Sequence, residues 1–231
     1  MPPLRQIPIR AVLFDAVGTL LMPREPVAAT YCRLSRPLGS RLQEAEIAER
    51  FAAALAEDRE VETSEERERL RWRNIVAKTL PDLDAKCADQ VFHQLWDYFA
   101  RPDAWLLGPD VADGWRQLTA AGLVVGIASN FDSRLEVVRL GHPPLDQAAW
   151  CFVSSEIGFR KPSPRFFEKI SHRLGLPPEE ILLVGDDPVL DYQAALAAGW
   201  QAVLVDRAVL VDHSGAPARG LWHWLKDAVG D

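Results

Sequence analysis

Four short apolar runs punctuate the chain: Ala11-Val12-Leu13-Phe14, Leu123-Val124-Val125-Gly126-Ile127, Ile181-Leu182-Leu183-Val184 and Ala202-Val203-Leu204-Val205. Each is bounded by glycine or polar residues and lacks strict alternation, the pattern of strands buried on both faces. Between them, apolar positions recur at helical spacing over 109–121, 132–140, 164–174 and 188–198. Strand alternating with helix predicts an α/β fold, a doubly wound parallel sheet.

Residues 24–105 break this rhythm. They hold no convincing strand but four charged segments of helical period, at 25–35, 41–58, 64–79 and 85–99. The stretch from Glu44 to Leu70 is rich in Ala, Glu and Arg, which favours helix, and its charges read as a solvated face. The predicted organisation is a core of residues 1–23 and 106–231 interrupted by an all-helical unit, 24–105. Residues His213 to Arg219 read as a loop, and Leu221-Trp222-His223-Trp224-Leu225 as the start of a last helix.

The composition narrows the function. At 231 residues with 48% hydrophobic and 26% charged, the chain can bury a sizeable core. A formal net charge of −7 argues against a nucleic-acid binder, which needs a basic footprint. No apolar run approaches the ~18 residues of a membrane span, and the first residues lack a secretory hydrophobic stretch. Cys32, Cys87 and Cys151 are scattered with no CxxC spacing, which suits reduced thiols. The expectation is a cytoplasmic protein acting on a small anionic molecule, with neither nucleic acid nor membrane as partner and with its oligomeric state open.

Candidate chemistry sits at the ends of the runs. The first ends in Asp15, followed by a polar turn through Gly18 and Thr19, and carboxyl ends of buried strands are where open α/β sheets keep their chemistry. The second run leads to Ser129-Asn130, whose hydroxyl and backbone N–H suit an oxyanion. Lys161-Pro162-Ser163-Pro164 places a lysine just before a helix, its backbone restricted by two prolines. The third run ends in Gly185-Asp186-Asp187-Pro188-Val189-Leu190-Asp191. Clustered carboxylates repel unless a cation joins them, and hard oxygen donors of this kind suit Mg²⁺. Asp187 reads as a helix cap.

In order and approximate spacing, these four segments resemble the motifs of the haloacid dehalogenase-like hydrolases: DxDGT, a strand ending in Ser or Thr, KPxPxxF and GDxxxxD. The resemblance covers residues 10–30 and 106–210, and it implies a Rossmann-like core with a helical cap inserted after the first motif. It implies Asp15 as nucleophile, Ser129 and Lys161 as its catalytic partners, and Gly18, Thr19, Ser129, Asn130 and Lys161 around the substrate's phosphate. It further implies Mg²⁺ held by Asp15, the carbonyl of Val17 and Asp186, with Asp191 behind them.

One position departs from the pattern. The family's phosphatases carry a second aspartate, the general acid and base, where this chain has Val17. General acid–base help is typically worth 10²–10⁴-fold, so substrates with poor leaving groups should suffer most. The family's haloacid dehalogenases read DAYGT, close to Asp-Ala-Val-Gly-Thr here, because halide leaves without a proton. They need no metal, however, and carry a less acidic fourth motif. Phosphonoacetaldehyde hydrolases use a cap lysine, and neither Lys78 nor Lys86 lies in a recognisable context. Uncharacterised relatives with a non-acidic second position share the string Ser-Asn-Phe-Asp-x-Arg-Leu, matched by residues 129–135. The leading expectation is a Mg²⁺-dependent phosphatase of small metabolites. The alternatives are a metal-independent 2-haloacid dehalogenase and a protein that binds a phosphorylated ligand with little or no turnover.

Three further readings concern substrate contacts. Arg24 either meets an anion or sits in the hinge loop. Asp132 and Arg134 either pair with each other, or Asp132 caps a helix. Trp72, Trp96 and Trp105 are expected to pack the inserted helices.

Overall fold

The computed structural model describes residues 8–206. The readings for 213–219 and 221–225 lie outside that range. The centre of the molecule is a five-stranded parallel sheet. β1 (Ala11–Phe14) pairs on one side with β4 (Val124–Ser129) and on the other with β6 (Ile181–Gly185). β5 (Trp150–Val153) and β7 (Gln201–Leu204) form the edges, in the order β5-β4-β1-β6-β7. Val12 and Phe14 point into one core cluster with Trp115 and Leu118, whereas Leu13 points into the other with Phe166 and Phe167. That two-sided burial is why β1 reads as an unbroken apolar run. Gly126 has a packing reason: a Cβ there would lie 2.6 Å from the Trp150 carbonyl oxygen.

The helices follow the predicted periods. α1 (Val27–Ser35), α2 (Glu44–Glu57), α3 (Glu65–Thr79) and α4 (Ala85–Phe99) form a separate layer. Ser64 and Asp84 cap the starts of α3 and α4 by accepting from Arg67 N and Cys87 N. Three acidic residues, Glu65, Glu66 and Glu68, occupy the first turn of α3, where the helix dipole favours them. The layer has its own core, in which Tyr31, Ile47, Val76, Leu80 and Phe92 meet. In the main layer, α5 (Val111–Ala120), α6 (Arg134–Leu140), α7 (Ser154–Ile157), α8 (Pro164–Leu174) and α9 (Ala194–Ala197) accompany the sheet.

Besides the four-residue α7 and two short strands at Leu21–Pro23 and Trp105–Leu107, an edge strand and a broken helix depart from the sequence reading. The edge strand β5 was not expected: Ala148-Ala149-Trp150-Cys151-Phe152-Val153 is an apolar run, but it holds a single β-branched residue and the strand starts at a Trp150 that is 40% exposed. The helix expected over 188–198 is divided into a wide π-type turn, Pro188–Gln193, followed by the short α9.

Backbone hydrogen bonds join the helical layer to the sheet layer in two places. β2 (Leu21–Pro23) and β3 (Trp105–Leu107) pair antiparallel, with Leu21 opposite Leu107 and Pro23 opposite Trp105. Arg24 belongs to this hinge: its N–H donates to Ala104 O at 2.8 Å and its Nε to Asp103 O at 2.7 Å. The second connection is a clasp between the segment preceding α3 and the loop preceding Lys161. Thr63 N donates to Gly158 O at 3.1 Å and Arg160 N to Val61 O at 2.7 Å.

Candidate active site

The carboxyl ends of β1, β4 and β6 converge on one point. Asp15 follows β1 directly and its N–H donates to Val184 O at 2.8 Å, which ties it to β6. The chain then turns back tightly, with Leu20 N donating to Ala16 O at 2.9 Å. Gly18 sits in this turn at φ 90°, and a Cβ there would lie 2.3 Å from Asp186 Oδ2. Only glycine permits both the conformation and the approach of Asp186. Thr19 Oγ1 donates to Asp186 Oδ1 at 2.9 Å.

Lys161 is the hub. Its Nζ donates to Asp15 Oδ1 at 2.6 Å, to Asp191 Oδ1 at 2.5 Å and to the Ala128 carbonyl at 3.2 Å. The other Asp191 oxygen accepts from Asp187 N at 3.1 Å. Gly185 leaves room for this arrangement, since a Cβ there would lie 2.3 Å from Asp191 Oδ2. Asn130 holds the lysine's own backbone: Lys161 N donates to Asn130 Oδ1 at 2.7 Å, and Asn130 Nδ2 donates to Lys161 O at 2.9 Å. Ser129 is buried at the end of β4 and faces the same cavity. Asp187 accepts from Val189 N and Leu190 N at 2.7 and 2.8 Å, so it caps the turn.

The electrostatics are tight. Burial pushes the Asp15 carboxyl up to about 6; the Lys161 ammonium opposes the rise and the Asp191 charge adds to it. Burial pulls on Lys161 in the other direction, yet the charges of Asp15 and Asp191 outweigh it and hold the ammonium above the usual lysine range. Oxygens of Asp15, Asp186 and Asp191 all lie within 4.8 Å of one another. Three carboxylates around one ammonium leave the cluster negative when all are ionised. This set of hard oxygen donors fits a small divalent cation.

Above the cluster, between the two layers, lies a cavity of about 390 Å³. Asp15, Val17, Ser129, Asn130, Lys161, Asp186 and Asp191 are all on its wall. Val17 is 36% exposed there, with an alkyl side chain where the general acid of the usual motif stands.

A family profile, that of the haloacid dehalogenase-like hydrolases, matches residues 9–199. The chain belongs to this family. It is similar to haloacid dehalogenase-like hydrolase domain-containing protein 3 of Danio rerio, at 29% identity over 87% of each chain. Among solved structures it resembles a HAD phosphatase from Thermococcus onnurineus, with TM-score 0.64 and 25% identity, covering 94% of this chain and 97% of that one. It also resembles a 2-haloacid dehalogenase from Pseudomonas syringae, with TM-score 0.59 and 23% identity over 85% and 86%. The fold is thus shared by phosphatases and dehalogenases alike.

The structure brings Asp15, Ser129, Asn130, Lys161, Asp186 and Asp191 of this HAD-like chain to one wall, with Gly18 and Thr19 off that wall against Asp186, but the sequence missed much of the upper wall. Trp72, Trp96 and Trp105 do pack the helical layer and its hinge, and they also face the cavity. Arg71 and Arg160, given no role by the sequence, meet there across the two layers. Arg71 Nε bonds Asp58, and Arg160 Nη1 donates to the same Asp58 oxygen at 2.8 Å. Asp132 both pairs with Arg134, at 2.7 Å to each carboxylate oxygen, and accepts from its backbone N–H at 3.2 Å. Arg24 is absent from the wall, and Lys78 pairs with Glu57 at 2.8 Å. No helix among the described residues is long and apolar enough to cross a membrane.

Proposed function

We propose that this HAD-like hydrolase is a Mg²⁺-dependent phosphatase of a small phosphorylated molecule in the cytoplasm. The helical layer serves as its cap. The observation that carries the reading is the cluster of Asp15, Asp186 and Asp191 around Lys161, too acidic to be compensated by the lysine alone. Asp15, Asp186 and the carbonyl of Val17 would hold Mg²⁺, which when bound offsets the negative charge of the phosphoryl oxygens.

The chain's own residues carry the reaction. Lys161 neutralises Asp15 and the incoming phosphoryl group, so that two anions can approach. Ser129 and the backbone near Asn130, both on the cavity wall, would meet that group, while Thr19 stands behind them and holds Asp186. An Asp15 oxygen attacks phosphorus, the bond from phosphorus to the ester oxygen breaks, and the leaving oxygen keeps its electron pair. Water then attacks the aspartyl-phosphate, breaks its P–O bond and restores the Asp15 carboxylate. Its protons end on phosphate and on the departed alkoxide or phenolate.

Val17 cannot protonate the leaving oxygen, so the substrates favoured are those that depart as weak bases. Val17 is also the observation behind a second reading, displacement of halide from a 2-haloacid by Asp15 without metal. A panel of aryl phosphates, alkyl phosphates and 2-haloacids, assayed with Mg²⁺ and with EDTA, separates the two. Aryl phosphate turnover dependent on Mg²⁺ is expected, and halide release insensitive to EDTA would replace the first reading by the second.

A further inference from the structure

The cavity above the carboxylate cluster has a wall of unusual charge balance. Its upper part is built from Tyr31, Phe51, Trp72, Phe92 and Trp96, on α1, α2, α3 and α4. Four cationic side chains also face it, Arg71, Arg134, Arg160 and Lys161, and each is matched by carboxylates of the chain itself. Arg71 and Arg160 share Asp58, and Glu68 lies 3.4 Å from Arg71 Nη1 and 3.7 Å from Arg160 Nε. Thr63 Oγ1 donates to Glu68 at 2.8 Å, which fixes that carboxylate. Asp132 grips Arg134 with both oxygens, and the guanidinium stacks 3.6 Å from the Trp96 ring centroid. The guanidinium of Arg71 likewise lies over Trp72, 4.8 Å from its ring centroid.

These pairs are enclosed. The side chains of Arg71, Asp58 and Arg160 are only 13–16% exposed, and that of Glu68 is 3% exposed. A substrate with a second anionic group would have to draw one of these arginines from its carboxylate, leaving a buried charge unpaired. An uncharged body asks nothing of them and gains contact with the aromatic wall. A volume of about 390 Å³ admits a small-molecule body.

We propose that the cavity selects phosphate monoesters whose leaving group is an uncharged aromatic alcohol, and that the internally paired arginines exclude substrates carrying a second anionic group. The inference rests on the phosphatase reading and adds to it the identity of the leaving group. The same preference accords with Val17, because a phenolate departs with the electron pair of the P–O bond and takes its proton from water.

The test compares 4-(methoxycarbonylmethyl)phenyl phosphate with its free acid, 4-(carboxymethyl)phenyl phosphate, whose methylene spacer keeps the two phenolates about equally basic, using the full chain with Mg²⁺. The ester is expected to show kcat/KM about tenfold or more above the acid, a difference of roughly 1.4 kcal/mol. Leu55 of α2 also faces the cavity, and Leu55→Arg adds there a further guanidinium beside a cluster whose carboxylates, Asp58 and Glu68, already hold Arg71 and Arg160. It should narrow or reverse the preference. In parallel, tryptophan fluorescence follows binding of benzylphosphonate and 4-carboxybenzylphosphonate, which cannot be hydrolysed at the ester position. If neither phosphate turns over but benzylphosphonate binds tighter than its carboxylated partner, the selection stands and the phosphatase reading fails. If the acid is turned over or bound as well as its neutral partner, or neither phosphonate binds, the proposed selection is overturned.

Discussion

Asn130 and Lys161 hold each other through both ends of one amide, with Lys161 N donating to Asn130 Oδ1 at 2.7 Å and Asn130 Nδ2 donating to Lys161 O at 2.9 Å. The pair crosses from the end of β4 to the loop before α8, and thereby sets where the lysine side chain begins. Asn130→Ala should lower kcat on an aryl phosphate by about 10–100-fold, because small misplacements of a charge-neutralising group cost that much. KM should change little. Loss of two hydrogen bonds should also cost roughly 1–3 kcal/mol of stability. A variant with a lowered melting temperature and unchanged kcat would limit the amide to a structural role.

Asp15 carries a cost for the fold. Its carboxyl is pushed from 3.8 to about 6, chiefly by burial, so between those values the folded chain binds a proton that the unfolded chain releases. Its contribution to stability therefore falls as pH rises from about 4 to about 6, and it stays lost above that range. Asp15→Asn should remove the proposed nucleophile and with it any hydrolysis. In EDTA it should nonetheless raise stability at pH 7 by roughly 1–3 kcal/mol, and the advantage should shrink at pH 4.5. Thermal melts of both proteins at the two pH values provide the check. A variant less stable than the parent at pH 7 would mean that the Asp15–Lys161 ion pair outweighs the burial of Asp15.

Glu65, at the start of α3, reaches the sheet layer. Its carboxylate accepts from Ser133 N and Ser133 Oγ, each at 2.9 Å, and from Ser155 Oγ. With the strand-like clasp around Gly158, this contact holds the helical layer closed over the cavity. Glu65→Ala should loosen that closure with little effect on the sheet. Hydrogen exchange should accelerate at the start of α3 and in residues 61–63, and KM for an aryl phosphate should rise several-fold. Unchanged exchange there would show that the backbone clasp alone is sufficient.

The sheet and the candidate site were legible for different reasons. β1 and β6 announce themselves because both of their faces are buried, and Asp15, Lys161 and Asp186 because charged residues at strand ends and beside prolines stand out against such runs. β5 is less distinct, since its apolar run from Ala148 holds one β-branched residue, Val153, and the strand begins at an exposed Trp150. The cavity wall was silent for a different reason. Trp72 and Phe92 lie on helix faces whose apolar period serves the core of the helical layer as well as the cavity, so spacing cannot distinguish a packing residue from a lining one. Arg71, Arg160 and Asp58 come from separate segments and meet only through the docking of the two layers. No short-range pattern encodes that meeting.

Val17 offers the most direct test of why the leaving group matters. Its side chain is 36% exposed on the cavity wall beside Asp15, so a carboxyl can be introduced without displacing packed neighbours. Val17→Asp should favour alkyl phosphates selectively, because an alkoxide needs a proton to depart whereas a phenolate needs little help. Water activation in the second step can improve for both classes, so the diagnostic quantity is the alkyl-to-aryl ratio of kcat/KM, which reports the steps through the first irreversible one. A tenfold rise in that ratio corresponds to roughly 1.4 kcal/mol of transition-state stabilisation, within what a placed general acid supplies. The charges of Asp15 and Asp186 should raise the pKa of the new carboxyl, which suits a group that must begin protonated. If the variant folds, binds Mg²⁺ and leaves the ratio unchanged, residue 17 does not limit the reaction, and the apolar cavity alone accounts for any preference for aromatic leaving groups.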